Sequence, residues 1–395
     1  MTRSSSENIS RVRRAFVEEW QRLLAEGINN AKQWCEEFPD QDPLVAKRVD
    51  DVFQLRVNKY WLDLMKAKGS PVHLMKQVAP DERELLDQTG MDDPLNEEQQ
   101  SPVPGLVHRY PDRVLFYVAH QCAFYCRYCT RKRKVSDPES ISREQVKRAV
   151  DYIAAHPEIR DVVLSGGDPL MLKDEPLLDI VRRVREVKHV EIIRIGTRIP
   201  SALPQRITPA LVQELRKYQP VYMMVHFDHP DELTPEAIAS LNMLADAGFP
   251  LMNQTVLLKD VNDNAEALAK LFKGLLAARV RPYYLYQADI TKGTNYFRTT
   301  VMKGLEIMRQ LRGYISGLAI PHYVIDAPGG GGKIPMVPSY VEEWSNGKLV
   351  LRNYRGHAYE YPEVEEDPED PVVAVRNSPW GRKGKISGCE GIDVD

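Results

Sequence analysis

Short apolar runs separated by polar, helix-patterned stretches dominate the middle of the chain. They are VLFYV (114–118), VVLS (162–165), EIIRI (191–195), VYMMVH (221–226), NQTVLL (253–258) and PYYLY (282–286). After the first gap they recur at intervals of roughly thirty residues, the length of a strand followed by a helix. Nearly continuous apolar strands predict a parallel sheet buried on both faces. Helix starts stand in the gaps. Ser142 and Gln145 form a capping box, and Thr208-Pro209 and Thr234-Pro235 each set a cap before proline at the first helical turn. Periodicity alone does not choose between a doubly wound sheet and a partial barrel.

On either side the pattern changes. Val12, Phe16, Trp20 and Leu23 recur at helical spacing, and a second helix-like stretch covers Leu44 to Lys68. Residues 92–104 (DDPLNEEQQSPVP) are polar and proline-containing and predict a linker. From about Ile325 the chain reads as strands and loops, with glycines at 329–332 and an acidic, proline-rich PEVEEDPEDP beyond Tyr361. The expected organisation is a helical region with linker over 1–104, an α/β unit over 105–324 and a C-terminal segment over 325–395.

Composition narrows the function classes. The 395 residues carry 53 Lys+Arg against 56 Asp+Glu, a net charge of −3, so no nucleic-acid-binding balance is present. Every apolar run is strand-sized and too short to span a membrane. Met1–Ser10 lacks the apolar core of a signal peptide, and Glu7, Glu18 and Glu19 argue against a transit peptide. The expectation is a cytoplasmic protein.

Three of the five cysteines, Cys122, Cys126 and Cys129, crowd into eight residues directly after the first strand of the α/β unit. That is the C-terminal end of a strand, where such folds place ligand sites. Three thiolates at CxxxCxxC spacing can hold three corners of an iron–sulfur cluster. A structural zinc site would pair CxxC with a second distant pair, which the chain lacks. The motif CAFYCRYC, with Tyr128 before its last cysteine, resembles the radical S-adenosylmethionine (SAM) superfamily. The resemblance implies a 4Fe–4S cluster on the three cysteines and SAM on its open iron. Ser165, Gly166, Gly167 and Asp168, ending the second strand, match that superfamily's segment facing the SAM amino group.

Asp326-Ala-Pro-Gly-Gly-Gly-Gly-Lys333 is not a phosphate loop: Ile334 stands where magnesium needs Ser or Thr. A lysine on a glycine loop can instead form a Schiff base with pyridoxal phosphate (PLP). Together with HRYPDR (108–113), VHFDHPDE, NQTVLL and RPYYLYQAD, the pattern from about Ser101 to Arg355 resembles the lysine 2,3-aminomutase family. That resemblance implies a partial (β/α)6 TIM-like barrel with an N-terminal helical region and a C-terminal segment bearing the PLP lysine. It assigns PLP to Lys333 and places Arg109, Tyr110 and Arg113 beside it. It puts Tyr286 between the SAM and PLP sites, His226 and Gln254 near SAM, and Arg131 on the substrate carboxylate. Arginine suits that last role through its bidentate fork. The implied reaction is hydrogen abstraction from C3 by a 5′-deoxyadenosyl radical, followed by migration of the amino group from C2.

Asp289 and Asp326 match the two aspartates that grip the side-chain ammonium in lysine-specific members; glutamate-specific relatives carry lysine and asparagine there. Two carboxylates converging in a pocket favour a cation between them. The expected substrate is therefore free lysine, with arginine as the rival. A further alternative is an enzyme working with a protein partner such as a translation factor. The local alternative pairs Asp289 with Lys292 and leaves Asp326 as a loop cap. The family also implies a ferredoxin or flavodoxin electron donor and a homo-oligomer. The tail offers only Cys389, and Asn264 stands where a partner cysteine often occurs, so an oligomer without a zinc clasp is expected.

Overall fold

The structure is a computed structural model describing residues 18–135, 141–345 and 348–362. All six apolar runs are strands. In chain order the main sheet comprises β1 (Leu106–Tyr110), β2 (Arg113–Ala119), β3 (Asp161–Gly166), β4 (Ile192–Thr197), β5 (Val221–Val225), β6 (Leu251–Leu257), β7 (Arg281–Gln287), β8 (His322–Ala327) and β9 (Gly332–Pro335). Each strand pairs with the next in sequence. β2 to β8 run parallel, while β1 and β9 close the two edges antiparallel. A doubly wound sheet reverses its strand order midway, whereas this order is sequential. Right-handed crossovers then put every connecting helix on one face and turn the other inward. That is the partial barrel.

The sheet exceeds the six-unit expectation by one parallel strand. HYVIDA (322–327) is a seventh, crossing the boundary drawn at 324/325, and it delivers Asp326 to the barrel mouth. The helices start where the cap residues stand: Ser142, Thr208 and Thr234 accept from the backbone of Gln145, Leu211 and Ala237. Asn264 likewise caps the helix Ala265–Ala277.

Two N-terminal expectations change. Helix Glu19–Ala25 takes in Trp20 and Leu23, while Val12 and Phe16 lie outside the described residues. The stretch Leu44–Lys68 is two helices, Pro43–Val52 and Lys59–Ala67, because Phe53 turns extended and Val57 pairs with Ile28. Asn58 starts the second helix and ties it to the barrel through Ala123 O at 3.2 Å and Ala202 O at 2.9 Å. Trp20, Trp34 and Trp61 join the barrel residues in one continuous core. Residues 92–104 are packed rather than stretched between units: Leu95 and Glu97 are buried, and Pro94 O receives the N–H of Gly329 at 2.8 Å. A separate antiparallel sheet, β10 (Val341–Ser345), β11 (Lys348–Arg352) and β12 (Ala358–Pro362), follows the barrel. The remainder of the acidic tail and Cys389 lie outside the described residues. Among the described residues no helix is long and apolar enough to cross a membrane.

Candidate active site

A cavity of about 450 Å³ runs through the barrel interior, from Arg113 and Asp161 at the starts of β2 and β3 to the strands' C-terminal ends, within the range of small-molecule sites. Its walls bring together Arg109, Tyr110, Arg113, Tyr128, Arg131, Ser165, His226, Gln254, Tyr286, Asp289, Asp326 and Lys333. These residues are scattered over more than two hundred positions of sequence and are collected by the parallel strands, the loops after them and the antiparallel edge strands β1 and β9.

The cysteine loop leaves the end of β2. Burial raises all three thiols, Cys122 most and Cys129 to about 11; neighbouring sulfurs add to the effect at Cys122 and Cys129, while Arg198 opposes it at Cys126. Three soft donors on one loop fit three corners of an iron–sulfur cluster. Beside them lies Arg198, placed just past the end of β4, with Nη1 3.0 Å from Cys126 Sγ. Its guanidinium also meets Tyr128, Gln77 and Glu232, and lies 3.5 Å from Asp228. This buried cation faces the charge that thiolates would carry.

Gly166 and Gly167 serve the same loop. A Cβ on Gly166 would stand 2.3 Å from Ala119 O, and one on Gly167 2.6 Å from Gln121 O. The glycines therefore admit the backbone leading into Cys122. Asp168 is not among the residues lining the cavity. Its oxygens are taken up by Thr197 Oγ1, Arg198 N and Leu170 N at 2.7–3.0 Å, bracing the loop against β4 from behind. Burial pushes its pKa up to about 6. Tyr128 is committed to Asp228 through its hydroxyl, and His226 Nε2 meets the same Asp228 oxygen at 2.7 Å. Both still border the cavity. Gln254 Nε2 donates to Tyr286 at 3.2 Å.

At the other end Lys333 Nζ donates to Asp326 at 2.8 Å and lies 5.5 Å from the Tyr286 ring centre. Tyr286 thus stands between Gln254 and Lys333. The Lys333 backbone N–H donates to the Tyr110 hydroxyl at 2.9 Å, and Gly332 has φ +86 with that hydroxyl 3.0 Å from where its Cβ would be. Arg113 stacks on Tyr110 at 3.9 Å. Arg109 is turned toward Asp326 (3.4 Å), Gln100 (2.8 Å) and Leu95 O (2.5 Å). A lysine amine set in a cavity beside an aromatic ring and arginines fits an aldehyde cofactor carrying an anionic group. Asp326 is no mere loop cap, and Asp289 does not pair with Lys292: it accepts from Thr130 Oγ1 at 2.8 Å. Burial, then the neighbouring Asp326, raises Asp289 to about 6.

Arg131 faces an unforeseen partner. Its Nη2 and Nε meet Glu97 at 2.8 and 3.2 Å, and Nε also meets Tyr117 at 2.8 Å. Burial would raise Glu97, yet Arg131 holds it down to about 2. Among the described residues Arg131 Nη1 has no partner. Sequence reading missed Glu97, Arg198, Asp228 and Thr130. Arg198 and Asp228 carried a local signal, each following a strand's C-terminal end.

A partial barrel with a tri-cysteine loop after its first parallel strand and a glycine brace after the second defines a radical SAM protein. Residues 116–272 match the radical SAM superfamily, and residues 308–379 match the lysine-2,3-aminomutase family. The chain is 49% identical over 330 residues to L-lysine 2,3-aminomutase of Methanococcus maripaludis, covering 82% of this chain and 76% of that one. It is 45% identical over 344 residues to the L-lysine 2,3-aminomutase of Clostridium subterminale, covering 85% and 83%. Glutamate 2,3-aminomutase of Clostridioides difficile is 40% identical over 333 residues, with 84% and 77% covered. The chain belongs to the lysine 2,3-aminomutase family.

Proposed function

We propose that the protein is an L-lysine 2,3-aminomutase, interconverting L-lysine and β-lysine. In this reading Cys122, Cys126 and Cys129 hold a 4Fe–4S cluster, Ser165, His226 and Gln254 border SAM, and Lys333 carries PLP. When bound, these groups supply a hydrogen-abstracting radical and the electron delocalisation that lets an amino group migrate.

The observation that carries the substrate is the pair Asp289 and Asp326 on one cavity, with an amine, that of Lys333, already resting on Asp326. That contact supports an ammonium beside Asp326. Once Lys333 is engaged elsewhere, the Asp326 oxygen it leaves can join Asp289 around the substrate's side-chain ammonium, while Arg109 stays on the other oxygen. Arg131, which lines the cavity, would receive the α-carboxylate through Nη1, with Glu97 and Tyr117 holding its plane. The two ends together fix C3 within the cavity, and Val107, Met224 and Val256 help exclude water.

The same reading gives the protein a cytoplasmic setting, a ferredoxin or flavodoxin as electron source and self-association without a zinc clasp. The last is supported by Asn264, which serves as a helix cap. The test is anaerobic reconstitution with iron, sulfide and PLP, addition of SAM and dithionite, and separate offers of lysine, arginine and glutamate. Chromatography should find β-lysine alone. β-Arginine or β-glutamate as the main product would overturn the substrate assignment.

A further inference from the structure

Arg198 stands immediately past β4 and opens the short helix Ile199–Ala202. Its backbone N–H donates to Asp168 Oδ2 at 2.7 Å, so the residue is fixed at its root. The side chain is buried, with Cζ 4.9 Å from the ring centre of Phe124 and 5.6 Å from those of Trp61 and Tyr128. A buried guanidinium stays charged, and its five N–H groups need acceptors.

Those acceptors come from three parts of the fold. Around Nη2 stand Gln77 Oε1 from the N-terminal region, and Glu232 Oε2 (3.3 Å) and Asp228 Oδ2 (3.5 Å) from the turn after β5. Nη1 serves the Tyr128 hydroxyl and Cys126 Sγ, the latter at 3.0 Å. The two carboxylates are themselves held. Glu232 accepts from Ser201 Oγ at 2.6 Å and from the His229 N–H at 3.1 Å. Asp228 meets His226 Nε2 at 2.7 Å and accepts from the Val256 N–H at 2.8 Å. The guanidinium plane is therefore set from Nη2, and Nη1 is delivered to the sulfur. Cys129 Sγ, by contrast, receives a neutral donor, the Arg131 backbone N–H at 3.3 Å.

We propose that Arg198 is a positioning residue of the iron–sulfur cluster, whose reduction potential it raises by donating from Nη1 to Cys126 Sγ. The inference rests on the cluster held by Cys122, Cys126 and Cys129 and not on the amino acid substrate. Reduction brings one electron from an external donor onto a site whose thiolates are already anionic. Hydrogen bonds to the sulfurs and the net charge nearby set how favourable that step is. A cation donating to a ligand sulfur in a water-poor interior stabilises the reduced form more than the oxidised one. Removing Arg198 also leaves Asp228 and Glu232 without their shared cation, and their charge acts in the same direction.

The test uses the full chain with its cluster reconstituted anaerobically, and no SAM or amino acid is added. Samples poised with dithionite and mediators are read by electron paramagnetic resonance across a range of potentials. R198Q should have a more negative midpoint than wild type. R198K, which keeps the charge but loses the planar fork, should lie between them. E232Q removes one acid that shares the guanidinium and should move the midpoint the other way, to more positive values. Shifts of opposite sign are what a merely structural role would not produce. Iron and sulfide per chain, with the thermal midpoint, show which variants are folded and loaded; should R198Q fail to load, R198K and E232Q decide. Equal midpoints in wild type, R198K and E232Q would overturn the proposal, as would a more positive midpoint in R198K or a more negative one in E232Q. A wild type that takes up no iron would overturn the cluster assignment, and this proposal with it.

Discussion

Asp228 follows β5 and Asp289 follows β7, both largely withdrawn from water at the same end of the barrel, and they titrate in opposite directions. Burial pushes each upward. At Asp228 the His226 ring and Arg198 outweigh that cost and hold the carboxylate below its usual range. At Asp289 the fixed partner is only the Thr130 hydroxyl, Asp326 repels it, and its pKa rises to about 6. The cluster end is thus charge-matched by the protein itself, as Glu97 and Arg131 are. At the lysine end Asp326 has Arg109 and Lys333 beside it, whereas among the described residues Asp289 has no cation of its own. A site that leaves a buried carboxylate under-compensated beside a second one is built for a positively charged visitor.

The largest effect is expected from breaking that shortage. Asp289→Asn should cost about 2–4 kcal/mol of binding to a lysine ammonium, roughly 30- to 1,000-fold in kcat/KM for lysine. A steady-state assay at fixed SAM checks it. Wild-type kcat/KM should fall as pH drops through about 6, where Asp289 takes a proton, and that limb should be missing in the variant. The stability sign is opposite. A carboxyl whose native pKa is raised from 3.8 to about 6 favours folding at low pH, and that advantage is lost as pH rises across the interval. The ligand-free variant should therefore melt higher than wild type at pH 8, with the gap closing toward pH 4. A variant with unchanged lysine kinetics would remove Asp289 from the substrate site.

Glu97→Gln attacks the matched side of the comparison and should be felt first as stability. Removing one partner of a buried pair leaves Arg131 uncompensated, at a cost of about 3 kcal/mol. Glu97 is held near 2 against an ordinary 4.5, so its contribution is complete above pH 4.5 and is lost as pH falls toward 2. Urea midpoints of wild type and variant should converge on acidification. KM should rise for every amino acid accepted, because the α-carboxylate end does not discriminate. A loss confined to lysine would mean that Glu97 acts at the side-chain end instead.

Local signals were legible in the sequence and long-range ones were not. The apolar runs, the capping box at Ser142 and the threonine caps each depend on neighbours a few residues away, and each stands where expected. The cysteine spacing and the glycine-loop lysine were legible because their chemistry is written in short motifs. β8 was hidden because six residues with polar His322 and Asp326 near their ends, followed by glycines, do not look like a buried strand. Glu97 was hidden because it lies 34 positions from Arg131 in a segment whose polarity suggested a linker. Asp168 was read as a ligand contact for its place beside two glycines, yet the close approach those glycines permit is that of the cysteine loop.

A smaller effect is expected at that loop. Gly167→Ala would press a methyl to 2.6 Å from Gln121 O, which is backbone and has to move. Such overpacking costs about 1–3 kcal/mol, taken here from the path into Cys122. Iron per chain after reconstitution should fall and turnover with it, while KM for lysine stays put. A rise in KM without loss of iron would separate Gly167 from the cluster.

The smallest effect is the most diagnostic for the aspartate pair. Lys292 is the cation nearest to Asp289 in sequence, and a local ion pair between them would satisfy Asp289 without any substrate. Its Nζ instead lies 3.9 Å from Asp92, both side chains well exposed at 61% and 76%, where such pairs are worth little. The segment is held by backbone bonds between Met91 and both Ile290 and Lys292, which a side-chain change leaves alone. Lys292→Ala should therefore shift stability by less than about 0.5 kcal/mol and leave lysine kinetics as they were. Should the variant lose lysine affinity as Asp289→Asn is expected to, Asp289 would owe its orientation to Lys292, and the shortage of positive charge that distinguishes the two ends of the site would be gone.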